Sequence, residues 1–171
     1  MPTFIGFVPL SSTLKIGHVT RNGSSVPTDA DSSPTYRIYG TSLMTNGTGS
    51  LSLKDSGTIT GATNASPIVI TSTGHGLSNG TRVTVASVGG NTAANGTFTV
   101  ANVTSNTFEL SGSTGNGSYT SGGTWHVTGL YSLSITPTSG NGYAAGSNYD
   151  VLVTSTVSST TYSEVYRFGV V

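Results

Sequence analysis

From Ile59 to Val127 the chain carries only two charged side chains, Arg82 and Glu109, on an apolar/polar alternation interrupted by Gly and Asn-Gly pairs. Period-two alternation sends successive side chains to opposite faces of a strand, and Asn-Gly supplies the positive φ that tight hairpins need. The stretch therefore predicts a small all-β module. A surface so poor in acids, bases and thiols has few groups with which to run chemistry, which shifts the expectation from catalysis toward scaffolding.

Composition extends this argument to the whole chain. Charged residues make up 7%, against about 25% in ordinary domains. Six basic side chains balance six acidic ones, whereas disordered chains combine low hydrophobicity with high net charge. A folded chain of 171 residues has room for one domain or two small ones, and the composition favours two small β domains. Zero net charge removes the cationic footprint of a nucleic-acid binder, so nucleic acid is excluded as an expected partner. Near-neutral proteins also repel one another weakly, which suits dense packing of copies. With no cysteine there is neither a disulfide framework nor a thiolate metal site. The start, Met1 to Pro9, lacks a basic segment leading into an apolar run, and nothing approaches about 18 consecutive apolar residues. No membrane partner and no cleavable signal are expected.

Alternation marks strands at Leu14–Arg21, Thr35–Tyr39, Ser50–Lys54, Gly129–Thr136, Tyr149–Val157 and Tyr162–Val170, with a turn at Asn22-Gly23 and a Pro-rich loop over Ser24–Pro34. No segment longer than a turn has helical spacing. Neither flank alone has enough strands to close a core. Residues 1–57 and 128–171 are therefore expected to form one discontinuous β-sandwich, with 58–127 inserted at a loop tip as a small barrel or curled sheet.

The residues from Pro67 through Ile68-Val69-Ile70 and Gly74-His75-Gly76-Leu77 to Arg82-Val83-Thr84-Val85, then Asn95-Gly96-Thr97-Phe98, Thr107-Phe108-Glu109-Leu110 and Gly122-Gly123-Thr124, form an ordered set. This set resembles the FCCH-like β domain, named after the first catalytic-cysteine half-domain of ubiquitin-activating enzymes. Domains of this look are common in virion proteins of tailed bacteriophages, so the resemblance implies phage origin. A chain without cysteine excludes ubiquitin activation. The flanks, with Gly142-Tyr143-Ala144-Ala145-Gly146 and Tyr149-Asp150-Val151-Leu152-Val153, look like the immunoglobulin-like accessory fold of phage structural proteins. The resulting expectation is a discontinuous immunoglobulin-like β-sandwich with an inserted small β-barrel domain.

Candidate chemistry is sparse. His75 lies between two glycines and could be a ligand or base, or a turn residue bonding nearby backbone. His18 and His126 fall on strands, without the short spacing of a zinc site. Asp29 and Asp31 could act as paired carboxylates but sit in a solvated loop lacking the calcium-loop pattern. No Gly-x-Ser-x-Gly elbow leads into a helix. Trp125 and Tyr119, beside Asn, Ser and Thr, could stack on sugar rings, or serve as core or interface residues. Binding candidates are thus Trp125, Tyr119 and His75, with no catalytic residue, metal or cofactor expected. The chain is expected to be a non-enzymatic virion structural protein, a head decoration (cement) or a neck or tail accessory, packing against capsid, neck or tail proteins and copies of itself. The alternative is a tail-associated receptor- or glycan-binding module.

Overall fold

The computed structural model describes residues 1–171. The chain is all-β apart from two short 3-10 turns, Thr92–Ala94 and Ser139–Asn141. It opens with β1 (Thr3–Val8), β2 (Leu14–Val19), β3 (Thr35–Tyr39), β4 (Leu43–Ser50) and β5 (Ser52–Leu53). Seven strands follow: β6 (Ser56–Thr58), β7 (Gly61–Ala62), β8 (Ile68–Thr71), β9 (Arg82–Ala86), β10 (Gly96–Ala101), β11 (Thr107–Leu110) and β12 (Thr124–Val127). The chain closes with β13 (Leu130–Ile135), β14 (Asn148–Val157) and β15 (Thr160–Val170). Two compact units result, residues 1–52 with 129–171, and residues 53–128. The first boundary falls ahead of 57/58 because Ser56 and Gly57 are already paired, with His126 and Trp125.

The discontinuous unit has a five-stranded sheet, β1-β15-β14-β3-β4, and a three-stranded sheet, β2-β13-β5. β14 shows why these residues form a central strand. Each second residue from Tyr149 to Val157 is buried and the intervening ones are half-buried, the signature of a strand with one face in a core. The buried face (Tyr149, Val151, Val153) joins Ile38, Phe168 and Val170 from the same sheet and Ile16, Tyr131, Leu133 and Ile135 from the other in one apolar cluster. Tyr149 stacks on Phe168 at 5.6 Å and meets Tyr143 at 4.7 Å. Its hydroxyl accepts the Ala144 N–H at 2.8 Å, satisfying the polar end of a buried aromatic.

Two strands of this unit are absent from the alternation pattern. β1 runs parallel to β15, with an irregular register between Phe4 and Gly6. β4 contains Asn46, Gly47 and Gly49, which read as turn residues, with Asn46 at φ 55°. The Asn22-Gly23 pair does not form a two-residue hairpin. Asn22 Oδ1 accepts the N–H groups of Ser24 and Val26, both at 3.0 Å, holding a wider loop closed by an Arg21–Pro27 bridge.

The inserted unit is one curled sheet in the order β6-β12-β9-β10-β11-β8-β7. β10 links its halves: Gly96–Thr99 pair with β9, and Val100 and Ala101 with β11. Both edge strands lie on the single run 56–62. Between them Ile59 N–H bonds Gly123 O at 2.9 Å and Thr60 N–H bonds Thr71 O at 2.9 Å. Single bonds replace a ladder there, so the expected barrel is not closed. Ile68, Ile70, Val83, Val85, Val100, Phe108, Leu110 and Trp125 fill the interior.

Candidate functional site

In the inserted unit, His75 is held between Gly74 and Gly76, at φ 65° and 66°, a left-handed conformation that glycine adopts without steric cost. Its Nδ1 accepts the Leu77 N–H at 3.0 Å. Nδ1 is therefore unprotonated, and Nε2–H points to Thr107 O at 3.3 Å. The ring meets Phe108 edge-on at 5.1 Å and Trp125 at 6.3 Å. Trp125 retains 2% of its surface and donates Nε1–H to Ser72 Oγ at 2.8 Å. Tyr119 is half-buried, its hydroxyl 3.0 Å from Gly122 O and 3.2 Å from Ile59 O. His75 and Trp125 are thus brought together, but as packing and turn-locking groups, and Trp125 offers no face on which a sugar could stack.

In the discontinuous unit, Asp29 Oδ1 accepts the Gly129 N–H at 2.7 Å. Asp31 accepts the N–H groups of Ser158 and Ser159 at 2.9 and 2.8 Å. These two serines have φ of 50° and 63° and form the tip of the β14–β15 hairpin. Both aspartates act as backbone caps. No group of three His, Cys, Asp or Glu side chains is arranged to hold a metal.

Sequence reasoning missed a cluster around His18, whose partners lie on the far end of the chain. His18 is 3% exposed. Tyr166 donates its only proton to Glu164 Oε2 at 2.5 Å. The His18 Nδ1, 3.0 Å from the Tyr166 oxygen, must then be the donor of that bond, with Glu164 Oε2 a further 3.3 Å contact. Nε2 is left buried with no partner. Burial lowers the His18 pKa from 6.5, with the charge and hydrogen bonding of Glu164 acting in the opposite direction. Burial, then the hydrogen bond to Glu164 and its charge, push the Tyr166 phenol up. A groove over this cluster is lined by His18 itself together with Arg21, Ser155, Tyr162 and Glu164. With Nε2 shut off from solvent, the imidazole cannot act on a ligand there without rearrangement.

The surface feature that stands out is the outer face of the five-stranded sheet. The register irregularity in β1 places Phe4 opposite Arg167 and Phe7 opposite Gly169, so two aromatic residues three apart share one face. They are 51% and 67% exposed and touch edge to face at 5.2 Å. Phe7 lies so close over Gly169 that a Cβ there would meet its ring at 2.5 Å. Across the sheet the same face carries Val165, Leu152, Tyr39 and Leu43. Its centre holds a bidentate ion pair, with Arg167 Nε and Nη2 each 2.6 Å from an Asp150 oxygen. That pairing lowers the Asp150 pKa. Phe4 and Phe7 thus form an exposed aromatic pair beside the Arg167–Asp150 ion pair, with Arg37 on the same face beside Leu152.

No family model matches the chain, and no curated protein matches it.

Proposed function

We propose that the chain is a non-enzymatic structural protein of a tailed-phage virion, a head decoration or a neck or tail accessory, working by packing β surfaces in many copies. The observation that carries this reading is the Phe4/Phe7 face on a chain with zero net charge, while Asp29, Asp31 and His75 are engaged in internal backbone bonds. The FCCH-like sequence pattern of the inserted unit supports the phage setting.

The discontinuous unit reads as an immunoglobulin-like sandwich. With β2, β3, β5, β13, β14 and β15 taken as strands B, C, D, E, F and G, the sheets become G-F-C and B-E-D, the strand partition of that fold. β4 extends the C edge, and β1 adds in parallel beside G. Tyr149, at the start of the F strand and bonded back to Ala144, supplies the tyrosine corner. The inserted module then occupies the D–E connection.

Quantitative mass spectrometry of gradient-purified particles tests the function. The chain is expected in many copies per particle, and immunogold labelling then assigns it to head, neck or tail. Absence from purified particles refutes the reading.

A further inference from the structure

We propose that the outer face of the five-stranded sheet docks onto the same face of a second copy, around a two-fold axis parallel to the strands and lying between β14 and β15. The inference deepens the packing reading above and rests on it.

The argument is one of register. Phe4, Arg167, Asp150 and Tyr39 are consecutive cross-strand partners and so lie in one row on one face. A two-fold axis placed between β14 and β15 lays β15 on the copy's β14 and β1 on the copy's β3. Each Arg167 then meets the copy's Asp150, and each Phe4 meets the copy's Tyr39. The face is therefore complementary to itself in both charge and apolar content, as a two-fold interface requires. The remaining charge on the face, Arg37 on β3, falls opposite the copy's β1, which has no charged residue. No like-charged side chains are forced together.

The area is sufficient for a modest interface. At 51% and 67% exposure, and roughly 200 Å² per ring-bearing side chain, Phe4 and Phe7 alone offer about 240 Å² per copy. The four overlapping strands, β1, β15, β14 and β3, spaced about 4.8 Å apart, add the rest of the face. Two copies bury on the order of 1,200 Å², the lower end for specific association. The expected product is a reversible dimer that strengthens when many copies are held on one particle.

The absence of cysteine makes the test direct. Phe4→Cys chains mixed with Tyr39→Cys chains should be joined into a dimer by a bismaleimide that spans about 10 Å, the spacing of sheets packed face to face, several-fold faster than either variant alone. Sedimentation of the unmodified chain should show a concentration-dependent shift from monomer to dimer. Phe7→Ser should weaken that dimer at least tenfold. Asp150→Arg should weaken it as well, and adding Arg167→Asp should restore it, an outcome that simple loss of folding would not give. A chain that stays monomeric at millimolar concentration, or cysteine pairs that cross-link without preference, would overturn the proposal. A monomer that is nonetheless abundant on particles sinks this docking mode alone, whereas a dimer absent from particles sinks the virion reading and leaves the interface standing.

Discussion

Lowering the pH from about 7.5 to 5.5 should destabilise this protein through His18. The folded imidazole is neutral, with Nδ1–H committed to Tyr166 and Nε2 buried without a partner. Protonation would place a second N–H where no acceptor exists, and burial accordingly lowers the pKa from 6.5. The unfolded chain takes up that proton at its ordinary pKa and the folded chain does not. Because the unfolded state binds more protons, stability rises with pH across this window and is lost as pH falls below about 6.5. With the folded imidazole staying neutral throughout, the loss between about pH 7.5 and 5.5 reaches a ceiling of about 1.4 kcal/mol, one proton's worth over one effective pH unit. Urea unfolding at a series of pH values reads this directly. His18→Phe keeps an aromatic ring at the site, cannot titrate, and should lower the slope of the profile between about pH 5.5 and 7.5. Equal slopes in the two proteins over pH 5.5–7.5 would refute the assignment of a neutral, partnerless Nε2.

Other perturbations have equally definite outcomes. Asp31→Ala removes the acceptor of two N–H groups at the β14–β15 tip and should cost about 1–2 kcal/mol in urea unfolding, below the upper values for bonds to a charged group because water reaches this exposed site, with Asp31→Asn intermediate. Gly57→Ala would put a Cβ 2.8 Å from Trp125 Nε1; since that ring is fixed by Ser72, overpacking of about 1–3 kcal/mol is expected in the same assay. Trp125 is the sole tryptophan and is buried, so its emission should be blue-shifted, resist acrylamide quenching, and report unfolding of the inserted unit. Ser56 and Gly57 pair with His126 and Trp125, so the chain enters and leaves the inserted unit on adjacent strands. Replacing residues 55–127 by a short Gly/Ser linker should therefore leave the flanks able to unfold cooperatively by circular dichroism, and a structureless product would contradict the two-core division.

The strands legible from the sequence are those in which one face is buried. β2 and β14 stand out because burial on every second residue imposes apolar/polar alternation. β1 was hidden by its bulge: Phe4 and Phe7 share a face at a spacing of three, so period two fails. β4 was hidden by its glycines, needed because the Tyr36 ring approaches Gly49 to where a Cβ would sit 2.8 Å away. The same limit governs the candidate site. His75, Trp125 and Tyr119 could be picked out by residue type and neighbours, but their hydrogen-bond partners depend on strand pairing that local pattern does not encode. His18 meets Tyr166 across 148 positions, and no spacing rule reaches that far.

The scarcity of charge acts on fold and function through one mechanism. Of six acidic residues, Asp29 and Asp31 cap backbone, Glu164 orders Tyr166 and His18, and Asp150 neutralises Arg167. Each of these four is tied to a specific partner, so little unassigned charge remains to keep copies of the chain apart. A soluble protein normally guards an exposed apolar sheet face with like charges that penalise self-contact. Here the only ion pair at the centre of the Phe4/Phe7 face is internally balanced and turns attractive when a second copy is laid on it. Adding uncompensated charge at that centre should therefore be more disruptive to association than truncating either phenylalanine. Asp150→Arg sets three guanidinium groups on the face where one was free, and because salt screens that repulsion its dimer should recover most at high salt while the Phe7→Ser dimer does not; an Asp150→Arg dimer that stays weak in high salt would refute the charge argument.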